Sequence, residues 1–458
     1  MALGPEPGQC CSGRVVVKLE RFERGDLGSS VRDSGAPRLL FDGVGARASD
    51  AHSRLIRGAA VRDNSPMAQG GAPRSGKLSR PVDESEANMR FSVVAAAISA
   101  AAALTGAATI PGILSGANGA ETTADKLKVG FIYLGPVGDM GWTYQHEVGR
   151  QGVMKDLGDK IETTYLENVP EGPDAERSIE QLVRSGHKLI FTTSFGYMDQ
   201  TLKVAKKYSR VHFEHATGFK RDTNMATYAG RWYEGRYIQG QIAAKMSKAG
   251  VLGYIVSFPI PEVISGVNAT MLGAQSVNPK INVKIIWVNT WFDPGKEADA
   301  AKALLDQGAD VIMQHTDSPA AMQIAAVRGA YAFGQDSDMI KFGPKTQLTS
   351  IIDNWTPYYE ERVKAELAGK WTSTDTWGGL KSKLVVMAPY TNMPDDVKKM
   401  AESTEAAIVA GTLHPFKCPV IAQDGKPVEC KNGKNLEDGQ ILSMNFYVKG
   451  VDDKISGK

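Results

Sequence analysis

Cysteine and histidine are both scarce in this chain. Its 458 residues include four cysteines, Cys10, Cys11, Cys418 and Cys430, and seven histidines. Four thiols in a chain of this length do not make a disulfide-built scaffold. His212 and His215 lie three apart in a run with strand character, so they face opposite sides of it and do not share a metal. His146 stands beside Glu147 without a second histidine four residues on. The chain has no Gly-x-Ser-x-Gly nucleophile elbow and no Gly-x-x-x-x-Gly-Lys-[Ser/Thr] phosphate loop. Hydrolysis by paired carboxylates leaves no local signature and stays open here. Net charge is only +2, so no overall field draws nucleic acid or an anionic membrane. A long hydrophobic run is missing as well. The stretch after Arg90 is alanine-rich and broken by Gly106 and Pro111, which suits a span of ~20 residues poorly.

That stretch has another use. Met89-Arg90 precedes Phe91 to Leu104, and small residues follow at Ser115-Gly116-Ala117 and Gly119-Ala120. A basic start, an apolar middle and a small-residue exit give the layout of a cleaved secretory signal, expected over 89–120. The 88 residues before it are rich in Arg, Gly, Ser and Pro and lack apolar periodicity, so they should build no core. They read as a gene-start error, with translation beginning at Met89 or Met67, or as a real disordered extension. No cysteine lies near the cleavage region to carry a lipid anchor, so the mature chain is expected free in the periplasm. Cys418 and Cys430 bracket a segment with a turn signal at Asp424-Gly425. In an oxidising compartment they are expected to pair, closing a loop worth roughly 3 kcal/mol.

From Lys126 onward, strand and helix patterns alternate with short connections. Near-continuous apolar runs such as Lys128-Val-Gly-Phe-Ile-Tyr-Leu134, Lys188-Leu-Ile-Phe-Thr-Thr193 and Val251-Leu-Gly-Tyr-Ile-Val256 read as buried parallel strands. The cycle restarts after Met225 to Ala229, which predicts two doubly wound α/β lobes. Residues 126–229 and 356–380 are expected in the first lobe, and 230–355 and 381–440 in the second. The chain should cross between them in a multi-strand hinge near Tyr228 to Arg231, near Asp353 to Pro357 and after Gly379.

Ligands of open α/β sheets sit outside the carboxyl ends of the strands. Those ends carry Asp139, Trp142, Phe195, Phe258, Trp291, Asp317, Asp336 and Asp353. Aromatic faces with carboxylate acceptors suit a flat nitrogen heterocycle that offers N–H donors at its edge. Several of these residues have plainer uses. Asp139 fits a turn between Gly138 and Gly141, Asp317 fits a helix cap, and Phe195 and Phe258 fit a core. Asp293, before Pro294, reads as a helix cap and not as a ligand.

Gly138-Asp139-Met-Gly-Trp142-Thr-Tyr-Gln145 resembles the opening motif of the basic membrane protein (BMP) family. These are periplasmic-binding-protein-like receptors of ABC importers, some of which bind purine nucleosides. Ser194-Phe-Gly-Tyr-Met-Asp199, Trp291-Phe-Asp-Pro-Gly-Lys296, Ala309 to Asp317 and Gly334-Gln-Asp336-Ser-Asp338 follow in family order. The resemblance implies a type I periplasmic-binding-protein fold, a small-molecule ligand in the inter-lobe cleft and a permease partner. It implies no enzyme activity, metal or cofactor. Two positions depart from the family pattern. Trp142-Thr143 replaces the usual Phe-Asn, and Asp353 stands where nucleoside-binding relatives tend to have a lysine that reaches ribose. Both changes favour a purine base such as adenine over a nucleoside. The expected protein is therefore a monomeric periplasmic receptor for a purine base or nucleoside. A receptor for a sugar or an amide, or a sensor partner that presents its ligand to a membrane receptor, is the alternative.

Overall fold

The structure is a computed structural model that describes residues 125–455. The expected extension and signal over 1–120 lie outside the described residues. Five strands open the described chain: β1 (Leu127–Ile132), β2 (Ile161–Leu166), β3 (Leu189–Thr192), β4 (His212–Ala216) and β5 (Met225–Gly230). Helices α1 (Trp142–Leu157), α2 (Pro173–Arg184) and α3 (Met198–Lys207) connect them. Strands β1 and β3 are short and apolar because both their faces are covered: Val129, Phe131, Leu189, Ile190 and Phe191 are fully buried, as is Phe213 of β4. In α2 the buried side chains Ala175, Ile179 and Leu182 recur at helical spacing, and Pro173 occupies the first turn, where its missing N–H costs nothing.

A second set follows: α4 (Trp232–Met246), β6 (Val251–Val256), α5 (Pro261–Val277), β7 (Asn282–Trp287), α6 (Pro294–Asp306), β8 (Val311–His315), α7 (Ala320–Arg328), β9 (Tyr331–Gly334) and β10 (Gln347–Asp353). The chain then adds α8 (Trp355–Leu367), β11 (Asp375–Gly378), β12 (Val385–Met387), α9 (Asp395–Val409), α10 (Asp438–Leu442) and β13 (Val451–Asp452). Two sheets result, ordered β11-β5-β4-β3-β1-β2 and β12-β10-β9-β8-β6-β7-β13. Among the described residues, β12 alone runs antiparallel to its neighbour, β10. Asp293 caps α6, its side chain accepting from the Lys296 N–H at 3.0 Å.

The chain passes between the sheets three times: from β5 to α4, from β10 to α8 and from β11 to β12. The crossings are stitched together. Arg231 N donates to Gly378 O at 2.6 Å, and Asn354 N donates to Leu384 O at 2.9 Å. Helix α8 follows a strand of the second sheet yet anchors on the first. Glu214, at the centre of β4 and fully buried, accepts from Tyr358 Oη, Arg362 Nε and Trp371 Nε1 at 2.7, 2.5 and 2.7 Å. Three donors, one of them charged, offset the cost of burying that carboxylate.

Helix α3 buries Met198, Thr201, Val204 and Ala205, which recur at helical spacing on one face. The second sheet runs beyond residue 440, where the sequence reading ends that lobe, since β13 pairs with the β7 edge. Cys418 and Cys430 are joined by a disulfide. Among the described residues no helix is long and apolar enough to cross a membrane.

Helices α4 and α5 approach so closely that glycine is required on both. A Cβ on Gly240 would overlap the Thr270 carbonyl oxygen, and one on Gly273 the Tyr237 carbonyl oxygen. Gly240→Ala and Gly273→Ala should each lower stability by about 1–3 kcal/mol in urea unfolding. Gly439→Ala, where a Cβ meets open space, should change it little. An unchanged midpoint for Gly240→Ala would contradict the packing described.

Candidate functional site

Loops following strands of both sheets converge on one cavity. Its wall takes Phe195 from the segment after β3, Trp232 after β5, Glu262 after β6, Trp291 after β7, His315 and Asp317 at the end of β8, and Gln335 and Asp336 after β9. Trp142, the first residue of α1, completes it. This inner space, about 30 Å³, shares Phe195, Thr217, Trp232 and Glu262 with a wider cavity of about 450 Å³. The aromatic cluster is thus the narrow end of a larger cleft, within the size range of small-molecule sites.

The aromatic walls are held from behind. Trp142 donates its indole N–H to Thr193 O at 2.5 Å and packs edge-on against His146 and Trp355, with centroids at 4.4 and 5.7 Å. Phe258 does not line the cavity. It packs on Trp291 at 5.2 Å and supports that ring.

The polar side of the cavity is rich in carboxylates. Asp317, Asp336 and Asp353 are 6%, 2% and 0% exposed. Burial raises all three pKa values. Asp317 and Asp336 are pushed well above the usual carboxylate range, first by burial and then by each other or Asp353. Asp353 is pushed up to about 8, against the opposing pull of its hydrogen bond from Trp232. Arg236 is the buried cation that faces them, and it makes no ion pair among the described residues. Its Nη1 donates to Gln239 at 3.1 Å, its Nη2 donates to Gln335 Oε1, and its Nε has no partner. With its oxygen engaged by Arg236, the Gln335 amide must turn its N–H toward Asp336, which accepts through Oδ1. The Asp317 carboxylate accepts no hydrogen bond from the described residues, while its backbone N–H is tied to Trp291 O at 3.0 Å. Across the cavity wall, His315 Nε2 lies 3.2 Å from Glu262 Oε1. Burial lowers the His315 pKa, so the ring is neutral and donates to that carboxylate.

Of the eight residues expected at the ligand, the structure brings five to the cavity: Trp142, Phe195, Trp291, Asp317 and Asp336. Three others need correction. Asp139 does not line it. Its oxygens accept from the N–H groups of Gly141, Thr143 and Tyr144 at 2.9, 2.9 and 2.8 Å, so it serves the start of α1, where four N–H groups lack helical partners. Phe258 supports Trp291, as described. Asp353 lies behind Trp232, accepting its indole N–H at 2.6 Å through Oδ1, while Oδ2 is buried without a partner.

Trp232, Glu262, His315 and Gln335 were missed by the sequence reading. Each follows or ends a strand, so the strand-end rule covers them. Trp232 and Glu262 stand in the first turns of α4 and α5, and His315 and Gln335 lie inside the longer motifs Ala309 to Asp317 and Gly334 to Asp338, so none stands out in the sequence.

Three comparisons bear on this geometry. The family described as ABC transporter substrate-binding protein PnrA-like (Bmp) matches residues 126–413. A purine-binding protein of Brucella abortus is 63% identical over 348 residues, which is 76% of this chain and 99% of that protein. A protein of Haloferax volcanii, named provisionally as the glucose-binding protein of an ABC transporter, is 36% identical over 74% of this chain and 83% of its own length. A solved solute-binding protein of an ABC transporter system from Aeropyrum pernix superposes with a TM-score of 0.57 at 20% identity. It covers 64% of this chain and 94% of its own, and it shows the shared two-sheet fold. The resemblance carried by the Gly138 to Gln145 motif thus holds across most of the described chain, which belongs to the PnrA-like (BMP) family of ABC transporter substrate-binding proteins.

Proposed function

We propose that the protein is a periplasmic receptor that binds a purine base, adenine or a close analogue, between its lobes and delivers it to an ABC permease. It acts as a monomer and does no chemistry on the ligand. The observation that carries the ligand assignment is Asp317, a buried carboxylate beside two tryptophans that accepts no hydrogen bond from the described residues. Burial without donors holds this carboxyl back from ionising, and an N–H edge of the ligand would stabilise its ionised form. Trp142 and Trp291 offer faces for the ring, and Asp336 a second acceptor. Adenine presents an amino group at the position where 6-oxo purines present an oxygen. An oxygen facing Asp317 or Asp336 would be repelled, so adenine should bind more tightly than hypoxanthine or guanine. The high identity to a purine-binding protein supports the reading. The Haloferax relative supports a sugar as the second reading, because tryptophan faces and carboxylates also suit a pyranose. Ligand bridging the lobes would select the closed arrangement, and the closed shape would dock on the permease.

A thermal-shift screen tests the assignment. Adenine at 100 times its Kd should add about 2.7 kcal/mol to stability. Guanine, hypoxanthine and glucose at equal concentration should add less. A shift with sugars and none with any purine would reverse the two readings.

Replacing Asp317 with Asn should weaken adenine binding by about 10- to 150-fold in calorimetric titration, the range for a hydrogen bond to a charged group. Asp139→Asn should lower stability and leave the affinity of the folded fraction near that of the parent. Equal affinity of Asp317→Asn and the parent would remove Asp317 from the ligand.

The buried carboxyls also set a pH dependence. Asp353 has a folded pKa of about 8, above its unfolded value, so the folded state holds a proton that the unfolded state has lost. Stability therefore falls as pH rises through that window. Between pH 7 and 8 the histidines are largely neutral in both states, which isolates the carboxyl effect. Ligand-free parent should lose stability from pH 7 to 8 in chemical denaturation, and Asp353→Asn, which keeps an acceptor for Trp232, should lose less. Identical slopes would show that Asp353 is ionised throughout.

A further inference from the structure

The two lobes touch directly beside the cavity, at Met140, Gly141, Ser337 and Lys341, which do not line it, and at the backbone of Asp317, which does. Met140 and Gly141, in the connection from β1 to α1, meet the segments that follow β8 and β9 on the other sheet. Ser337 Oγ donates to Met140 O. Lys341 Nζ lies 3.5 Å from Met140 Sδ. Gly141 rests against the Asp317 backbone so closely that a Cβ there would overlap the Asp317 carbonyl oxygen and crowd its carbonyl carbon and Cα. The obstacle is backbone, so no rotamer change relieves it.

Both sides of this contact are held in place. Met140 has φ 69°, a left-handed conformation that a residue with a Cβ rarely adopts. The adjacent Gly141 N–H is held by Asp139 Oδ1. On the other lobe Asp336 is also left-handed, at φ 61°, and Ser337 O accepts from Ser350 Oγ. Three of the contact positions are tied to the site: Gly141 precedes Trp142, Ser337 follows Asp336, and the Asp317 backbone carries the Asp317 carboxylate. Docking these backbones together therefore sets where Trp142 stands relative to Asp317 and Asp336.

We propose that Met140–Gly141 and Ser337, seated on the Asp317 backbone, form a lobe-to-lobe latch. Gly141 is its gate: only a residue without a Cβ lets the lobes close far enough to assemble the site. Gly141 and Ser337 are positioning residues that act through the open–closed equilibrium and not by touching the ligand. The proposal rests on the reading that ligand binds between the lobes, and it does not depend on the ligand being a purine. Apparent affinity scales with the population of the binding-competent form, so each tenfold loss of closed form weakens binding about tenfold.

The test uses the full chain as parent, Gly141→Ala and Ser337→Ala, with adenine as probe. Ligand-free thermal unfolding reports folding, calorimetric titration reports affinity, and small-angle scattering with and without adenine reports closure. Gly141→Ala should unfold near the parent midpoint, bind adenine on the order of 100-fold more weakly, and fail to compact when adenine is added to the level that compacts the parent. Ser337→Ala should lose about tenfold in affinity and still compact at saturation. Parent-like affinity and compaction in Gly141→Ala would overturn the latch. If Gly141→Ala unfolds early, Ser337→Ala decides, and parent-like affinity there overturns it. If adenine fails to bind the parent while glucose compacts the parent and not Gly141→Ala, the purine reading falls and the latch stands.

Discussion

Three buried aspartates facing one buried arginine that pairs with none of them is the constraint around which this site is built. Burial raises the cost of ionising Asp317, Asp336 and Asp353, and neighbouring carboxylates add to it: Asp336 at Asp317, Asp353 at Asp336 and Glu262 at Asp353. An ion pair to Arg236 would relieve them, but Arg236 directs its donors to Gln239 and Gln335. The result is a pocket short of hydrogen-bond donors. Such a pocket is costly for the protein alone and selective for a ligand whose edge is rich in N–H groups. On the reading proposed, oxygen-edged solutes would gain nothing from it and anionic ones would be opposed by it; the aromatic walls would give affinity for any flat ring, and the acceptors would decide which ring.

The same residues tie recognition to movement. The site has no complete half: Trp142 and Phe195 come from one lobe, and Trp291, Asp317 and Asp336 from the other. The crossings that join the lobes are cross-linked by backbone hydrogen bonds such as Arg231 to Gly378, and in the closure proposed they serve as its hinge. Helix α8, rooted on Glu214, carries Trp355 into the cluster behind Trp142. The hinge is therefore continuous with the wall of the site. Repositioning one lobe shifts the aromatic face and the acceptors together.

Much of this was legible in the sequence, and the reasons differ from residue to residue. The alternating apolar runs and helix patterns indicated two parallel α/β sheets, because buried strands need apolar side chains on both faces. Asp293-Pro294 signalled a helix start by local chemistry alone, and Asp293 does cap α6. Trp142, Trp291, Asp317 and Asp336 reach the cavity because the strand-end rule follows from topology. The rule fails at finer scale. It cannot tell a carboxylate that faces a ligand from one that faces a helix terminus, so Asp139 was overrated. Nor can it see depth: Asp353 ends its strand yet lies behind Trp232 and outside the cavity wall. Arg236 gave no signal, since its role depends on what surrounds it in three dimensions. Strand β13 is two residues long, too short to show the apolar periodicity that marks longer elements.

The most direct test of the account is a crystal structure of the protein with adenine. The account predicts the base between Trp142 and Trp291, with a ring or amino N–H donating to the Asp317 carboxylate over about 2.7–3.2 Å. A base bound with Asp317 still lacking a donor, or bound outside the cavity these tryptophans line, would contradict it.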